Sequence, residues 1–275
     1  RHTDTLRAFE IFAPVLIGLA IFWLFVPILT VNEPSTGMSM IAATASGALG
    51  LMVCLEILVR TRILTRGLML FGMTIYFARI FVGILHYIIL FDPNYFSTHN
   101  PVFQYELDYE ALGNSASYIS SLWNTYGFGP LPSDVFGTKN QYLMPYFGLL
   151  YYLGDNEHFL NFSVLNSLHA CFVAVLVTRF ANGLSGRAVA RSVFIIAMLQ
   201  PFGFVASIQW RDSIGQFFLI SGAFLAILAP LNLKSMPSIV VGALSMMTLR
   251  NLYFVNALVA FGAKISALRK TNVLS

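Results

Sequence analysis

The stretch "SVFIIAMLQPFGFVASI" (192–208) is followed by the polar "QWRDS" (209–213) and then by a second apolar run, "IGQFFLISGAFLAILAP" (214–230). Each run approaches the ~20 mostly apolar residues that cross a bilayer as a helix. Charged residues make up only 10% of the chain and hydrophobic residues 57%, with a mean hydropathy of +0.73. Soluble domains carry roughly 25% charged residues. The composition therefore predicts a protein whose solvent is lipid.

Apolar segments of this kind recur along the chain and predict an all-α polytopic membrane protein with about eight transmembrane helices. Their bounds are 9–32, 38–59, 67–91, 159–179, 189–209, 213–230, 235–250 and 252–268. One orientation gathers eleven of the sixteen Lys and Arg residues on a single side. Because cytoplasmic loops are enriched in these residues, the N-terminus is expected in the cytoplasm. Residues 1–275 are expected to form one transmembrane domain, and the end at "ALRKTNVLS" leaves open a C-terminal truncation.

The long outer loop, 92–158, is expected to contain two helices that lie at the membrane interface. The segment "YLMPYFGLLYYLG" (142–154) is too short to span and would move the arginines at 179–191 to the outer side. The segment 103–127 places apolar and tyrosine side chains on one predicted helical stripe. The members of this stripe are Leu107, Ala111, Tyr118, Leu122 and Tyr126. A loop of this length is more often functional than a mere connection.

The order of these features resembles the type-C glycosyltransferase superfamily, and more loosely the bacterial polymerases of exopolysaccharide and O-antigen assembly. The resemblance covers roughly 90–255 and rests on the outer-loop helices, the turn "LGDNEHFLNFSVLN", the basic turn "RFANGLSGRAVAR" and "LQPFGFVASIQWRDS". It implies a multi-pass protein of a bacterial inner membrane that transfers a sugar from a polyprenyl-phosphate or -diphosphate lipid to a glycan acceptor at the outer face. Such families carry an acidic residue early in the first large outer loop, and Asp108 matches it by position. A competing alignment of "GNSASY" puts Asn114 in its place.

Sugar transfer from a lipid phosphate to a hydroxyl requires a carboxylate near the nucleophile and fixed positive charge near the departing phosphate. The candidate catalytic residues are Asp108, Glu110 and Glu106. Arginine suits a phosphate because its planar fork gives paired hydrogen bonds. The candidate phosphate-binding residues are Arg211, Asp212, Arg250 and, deeper in the membrane, Arg79. No spacing demands a metal, although Asp108 and Asp212 could supply oxygen ligands to a divalent cation.

Several of these polar residues also have a structural interpretation. Arg211 and Asp212 are equally consistent with capping two adjoining span ends, with Asp212 favoured at a helix N-terminus. A Glu56–Arg79 pair would neutralise both charges, but the two residues are predicted at different depths. His169 is expected to hydrogen-bond between helices rather than to bind a metal, and Cys54 and Cys171 lie in apolar segments where a disulfide framework is not expected.

Three function classes follow from the sequence. The first is a membrane glycosyltransferase or polysaccharide polymerase that uses a lipid-linked sugar. The second is a non-catalytic membrane subunit of a larger complex with protein partners, which Asn114 favours. The third is a transporter, against which the intramembrane charges form no continuous lane. The net charge of +4 falls in short clusters between spans, which indicates topology and membrane lipid rather than nucleic acid.

Overall fold

A computed structural model of the chain describes residues 2–30, 36–91, 103–129, 144–154, 160–200 and 212–228. These residues form seven α-helices and no strand, which confirms the predicted helical class. The helices are α1 (His2–Thr30), α2 (Thr36–Arg60), α3 (Arg66–Phe91), α4 (Phe103–Tyr126), α5 (Met144–Gly154), α6 (Leu160–Met198) and α7 (Asp212–Leu228). The chain divides into two compact units, Pro14–Ile214 and Arg1–Ala13 with Gly215–Ser275.

Four helices in the described ranges are long and apolar enough to cross a membrane, so the expectation of about eight spans is not supported. The four segments are Glu10–Leu29, Met40–Arg60, Arg66–Leu85 and Ser163–Met198. The fourth and fifth expected spans both fall on α6, and the sixth coincides with α7, whose apolar segment Ile214–Phe224 is shorter than these four. The last two, 235–250 and 252–268, lie outside the described residues. Four apolar helices fit a multi-pass membrane protein.

A tight turn joins α2 and α3 into an antiparallel pair. The backbone nitrogen of Arg62 donates to the carbonyl of Val59, and that of Ile63 donates to the carbonyl of Leu58. Arg62 adopts a φ of 59°. The hydroxyl of Thr65 accepts from the backbone nitrogen of Leu68 at 3.3 Å, which satisfies one of the free donors at the start of α3. The chain can therefore reverse within a few residues.

Glycines bring α1 and α2 into backbone contact. A Cβ atom on Gly18 would lie 2.8 Å from the carbonyl oxygen of Gly50 and 2.9 Å from the ring of Phe172 on α6. A Cβ atom on Gly50 would in turn meet the backbone of Gly18. Small residues at such a crossing let membrane helices approach closely and gain packing energy that lipid cannot replace. These contacts fix α1 against the surface formed by α2 and α6.

Helix α6 reverses direction at Gly186. Val164 lies 3.7 Å from the position of a Cβ atom on Gly47, and the Tyr76 hydroxyl meets that same position. The carbonyl of Met198 accepts a hydrogen bond from Arg79, which lies one helical turn beyond Tyr76 on α3. A straight helix would separate Val164 and Met198 by about 50 Å at ~1.5 Å per residue. These contacts instead bring both residues to one level of the bundle.

Gly186 has φ 82° and ψ 179°, a backbone region essentially confined to glycine. It divides α6 into a first arm, 160–185, and a second arm, 187–198. The first arm packs along α2, and the second returns along α3. The sequence predicts two helices joined by a basic turn. The structure has two arms joined at Gly186, but both belong to the single helix α6.

The turns of α2–α3 and of α6 lie at the same end of the bundle. Nε of Arg191, just after the α6 turn, donates to the carbonyl of Ile63 in the α2–α3 turn at 3.1 Å. Arg60, Arg62 and Arg66 flank one turn, and Arg187 and Arg191 flank the other. Five of the eleven positive charges that the sequence assigns to one membrane side thus lie at one end of the described bundle.

Candidate functional site

The two helices between α3 and α6 form a packed pair. Helices α4 and α5 occur where the sequence places them and contact each other extensively. Gly148 on α5 makes the close approach possible, because a Cβ atom there would lie 2.8 Å from the side chain of Ile119 and 3.3 Å from the carbonyl of Ala116. The segment between α3 and α6 therefore carries a packed helix pair rather than two independent surface helices.

The buried face of α4 differs from the predicted stripe. Of the predicted stripe, Tyr118 and Tyr126 are 48% and 73% exposed, and Leu122 is half-buried. The buried residues instead are Ala116, Ile119, Ser120 and Trp123. The spacing of the stripe does not mark Ala116 and Ile119, which contact Gly148, because that contact depends on another helix. The side chains of Leu107 and Ala111 lie outside what is described.

A directional hydrogen-bond network holds α5 to α1 and to the first arm of α6. Nδ1 of His169 lies 2.7 Å from the carbonyl of Leu165, and Nε2 lies 2.7 Å from the hydroxyl of Tyr146. A carbonyl can only accept, so Nδ1 carries a proton, and in the neutral ring Nε2 accepts from Tyr146. The Trp23 side chain hydrogen-bonds Tyr146, and its indole nitrogen can only donate. The prediction that His169 bonds between helices is confirmed.

Aromatic packing encloses this network, in which His169 is fully buried and Tyr146 is half-buried. The Trp23 ring lies edge-on to Tyr146 with centroids 5.3 Å apart, and the Tyr146 and His169 rings lie 5.4 Å apart. Burial is the main cause that raises the pKa of Tyr146 above its ordinary value, and the hydrogen bond from Trp23 opposes it. Tyr146 therefore remains a neutral phenol that can donate to His169 over the physiological pH range.

Arg79 is buried in the bundle and binds the end of α6. Its Nη2 atom donates to the carbonyl of Met198 at 2.7 Å, and only 1% of the residue is exposed. That carbonyl is among those a helix C-terminus leaves without an intrahelical donor. Glu56 instead pairs with Arg60 at 2.9 Å on the exposed surface of α2, as the difference in predicted depth requires. Arg79 thus has a positioning role, and its phosphate contact stays a prediction.

A second polar cluster lies on the first arm of α6. Ser163, Asn166 and Ser167 follow the i, i+3, i+4 spacing of one helical face, and each is fully buried. The two serine hydroxyls and both amide atoms of Asn166 have no hydrogen-bond partner within the described part of the chain. By contrast, the buried Thr178 on the same arm donates to the carbonyl of Ala174 at 2.6 Å. The sequence signal was a polar cluster inside a span, which the sequence analysis did not single out.

The predicted catalytic residues share one helix. Glu106, Asp108 and Glu110 fall in the first two turns of α4. The structure describes the backbone of these three residues and not their side chains. Asn114, one turn further, is exposed. The carboxylates are therefore expected along the start of a helix that the Tyr146 network ties to the bundle through α5.

The predicted phosphate-binding residues are described less fully. Arg211 and Arg250 lie outside the described residues, and Asp212 is the first residue of α7, as the capping interpretation requires, without a described side chain. Within the described ranges, no three His, Cys, Asp or Glu side chains come together as a metal site. Cys54 and Cys171 are free, buried thiols.

Comparison of the chain with protein families, with curated proteins and with solved structures finds no match.

Proposed function

We propose that the chain is a membrane glycosyltransferase, related in mechanism to polysaccharide polymerases, that acts on a polyprenyl-phosphate- or -diphosphate-linked sugar at the outer membrane face. The observation that carries the proposal is the attachment of the α4–α5 pair to the bundle by Trp23, Tyr146 and His169. A helix whose first two turns hold three carboxylate positions is thereby fixed to the membrane domain. Catalytic groups require such a fixed element, because misplacement by ~1 Å costs about a hundredfold in rate.

The chemistry assigns one role to each group. The acceptor hydroxyl attacks the anomeric carbon of the donor sugar and passes its proton to Asp108, with Glu106 and Glu110 as neighbouring carboxylates. The bond between that carbon and the phosphate oxygen breaks, and the departing phosphate keeps the electron pair. Arg211 and Arg250 offset the charge that grows on it. The step needs no metal, and a divalent cation would assist the same departing phosphate.

The clustered basic turns support a cytoplasmic N-terminus. The α2–α3 and α6 turns lie together, joined by Arg191 and Ile63. Placing them in the cytoplasm satisfies the positive-inside rule and puts the α4–α5 pair at the outer face of a bacterial inner membrane. In this arrangement the first arm of α6 leaves the membrane at the cytoplasmic side, and the second arm re-enters it there.

Asn114 favours one alternative, a non-catalytic membrane subunit. If Asn114 occupies the position of the catalytic acid, the exposed amide on α4 cannot accept the hydroxyl proton as a carboxylate would. The same fold would then serve to bind protein partners in the membrane.

Two variants on one helix distinguish these functions. Sugar transfer from a farnesyl-diphosphate-linked sugar to an oligosaccharide acceptor is measured for the protein in lipid nanodiscs. Under the main proposal, Asp108→Asn abolishes transfer, and the matched control Asn124→Ala, on the exposed face of α4, retains it. Activation by Asn114→Asp with no effect of Asp108→Asn would move the base to position 114. No transfer by wild type and no activation by Asn114→Asp would favour the subunit.

A further inference from the structure

The buried polar cluster on α6 lies in a sector that faces away from three of the neighbouring helices. On the first arm of α6, Val164 faces α2, Phe172 faces α1 and His169 faces α5. At about 100° per residue, Ser163, Asn166 and Ser167 occupy an arc of about 100° that contains none of these residues. The contacts of Val164, Phe172 and His169 with α2, α1 and α5 therefore lie outside this polar arc.

The same arc is not fully sealed. Ala170 lies between Asn166 and Ser163 around the helix, one turn from Asn166 and Ser167 along it. Every other residue from 163 to 176 is buried, whereas Ala170 is partly exposed. Part of the Ala170 surface is thus accessible beside polar groups that have no partner among the described residues. In a membrane-embedded span, such groups are costly unless they are satisfied.

The hydrogen-bonding capacity of the cluster selects the ligand chemistry. The two serine hydroxyls and the Asn166 amide nitrogen donate, but the Asn166 amide oxygen only accepts. A fully ionised phosphate offers acceptors alone and would leave that oxygen unsatisfied. A neutral hydroxylated group both donates and accepts, and so matches all of these groups. All three residues are uncharged, which also fits a neutral ligand better than an anion.

We propose that Ser163, Asn166 and Ser167 form a binding site for the hydroxyl groups of a lipid-linked sugar that enters beside Ala170. The assignment of the lipid as the polyprenyl donor rests on the proposed function. The hydroxyl chemistry itself rests on the cluster and could equally serve the sugar headgroup of a membrane glycolipid.

The test compares ligands with and without the sugar. Dissociation constants are measured by titration of the protein in phosphatidylcholine nanodiscs with farnesyl-diphosphate-linked N-acetylglucosamine and with farnesyl diphosphate, without acceptor. We expect the sugar to tighten binding about tenfold in the wild type, which two or more net hydrogen bonds can supply. The ratio should fall to about one in Asn166→Leu and in the double variant Ser163→Ala with Ser167→Ala.

Thr178→Val is the matched control, because Thr178 is buried on the same arm and its hydroxyl is already bound to its own helix. It should keep the wild-type ratio. Thermal unfolding of each variant reports whether the fold is retained, and Asn166→Leu should unfold no earlier than the wild type because it removes unsatisfied polar atoms.

Three outcomes have distinct meanings. A wild-type ratio near one, or a ratio unchanged by Asn166→Leu, overturns the site. Equal competition by dodecyl glucoside supports the hydroxyl site and assigns it to glycolipids in general. If the sugar tightens binding to the wild type but neither the wild type nor any variant transfers sugar, the binding site is retained and the glycosyltransferase proposal is refuted.

Discussion

The Tyr146 hydroxyl joins α5 to α1 and to the first arm of α6. Tyr146→Phe leaves Nε2 of the fully buried His169 without its 2.7 Å partner and removes the acceptor of Trp23. A buried group left unsatisfied costs about 1–3 kcal/mol, while hydrogen bonds within membranes average about 0.6 and reach about 1.7 kcal/mol. We expect Tyr146→Phe to lower the free energy of unfolding by about 1–3 kcal/mol.

The assay is equilibrium unfolding in one fixed lipid environment, arranged as a double-mutant cycle with His169→Leu. We expect a coupling energy of about 1 kcal/mol between the two substitutions, because each alone removes the same hydrogen bond. Tyr152→Phe is the control, since this residue of the same helix makes ring contacts with Trp123 and Phe128. The reasoning is refuted if Tyr146→Phe costs no more than Tyr152→Phe, or if the coupling is close to zero.

Three further predictions follow from the backbone and from Tyr146. Gly50→Ala should destabilise the protein by more than about 2 kcal/mol, because the added methyl group meets the backbone of α1. Gly183→Ala should stabilise it by about 0.5–1 kcal/mol, because the added methyl group meets nothing within 4 Å. Thermal unfolding of the two variants checks this order. Gly186→Ala should cost about 1–3 kcal/mol at a φ of 82°, measured in the same way, and an unchanged stability would contradict the reversal of α6 there. The raised pKa of Tyr146 keeps its proton in the folded state above pH 10, where unfolded tyrosine loses it, so its contribution to stability is complete below pH 10 and declines above it. Alkaline absorbance titration between pH 9 and 11 should therefore be the same for native wild type and Tyr146→Phe, while the unfolded variant loses about one twelfth of the amplitude; a smaller native amplitude in the variant would show that Tyr146 ionises in this range.

Helices α1 to α3 could be predicted from the sequence because lipid leaves the chain few options. A segment inside a bilayer must satisfy its backbone internally, so a long apolar run is a helix whatever it packs against. The number of spans was less secure. Length and apolarity do not tell whether 159–179 and 189–209 are separate elements, and the reversal between them depends on the backbone of Gly186.

The face of α4 shows a different limit of sequence reasoning. The spacing groups Tyr118 and Tyr126 on one stripe, and both are exposed, which suits a residue with a polar tip and an apolar ring. The close contact with α5 instead involves Ala116 and Ile119. Their role follows from Gly148, a residue in another helix, and a pattern within one helix cannot report it.

In the candidate site, the sequence predicted the kind of hydrogen bond that a buried polar side chain makes, but not the group that it bonds to. The polarity of His169 within a span indicated an interhelical bond, and the structure supplies Tyr146. The partner of Arg79 is a backbone carbonyl 119 residues away, at Met198, and no residue type marks such an acceptor in the sequence. An arginine in a span therefore predicts that a partner exists without predicting which group it is.

The polar groups of α6 divide into two kinds, and the division indicates where a ligand is to be sought. His169 and Thr178 are satisfied by the protein itself, so their burial is explained by helix packing. Ser163, Asn166 and Ser167 are equally buried and have no partner in the described residues, so packing alone leaves their cost unexplained. Selection for stability would replace such groups by apolar ones, because that exchange is nearly neutral or favourable. A polar cluster that stability does not require is best explained by something that it binds.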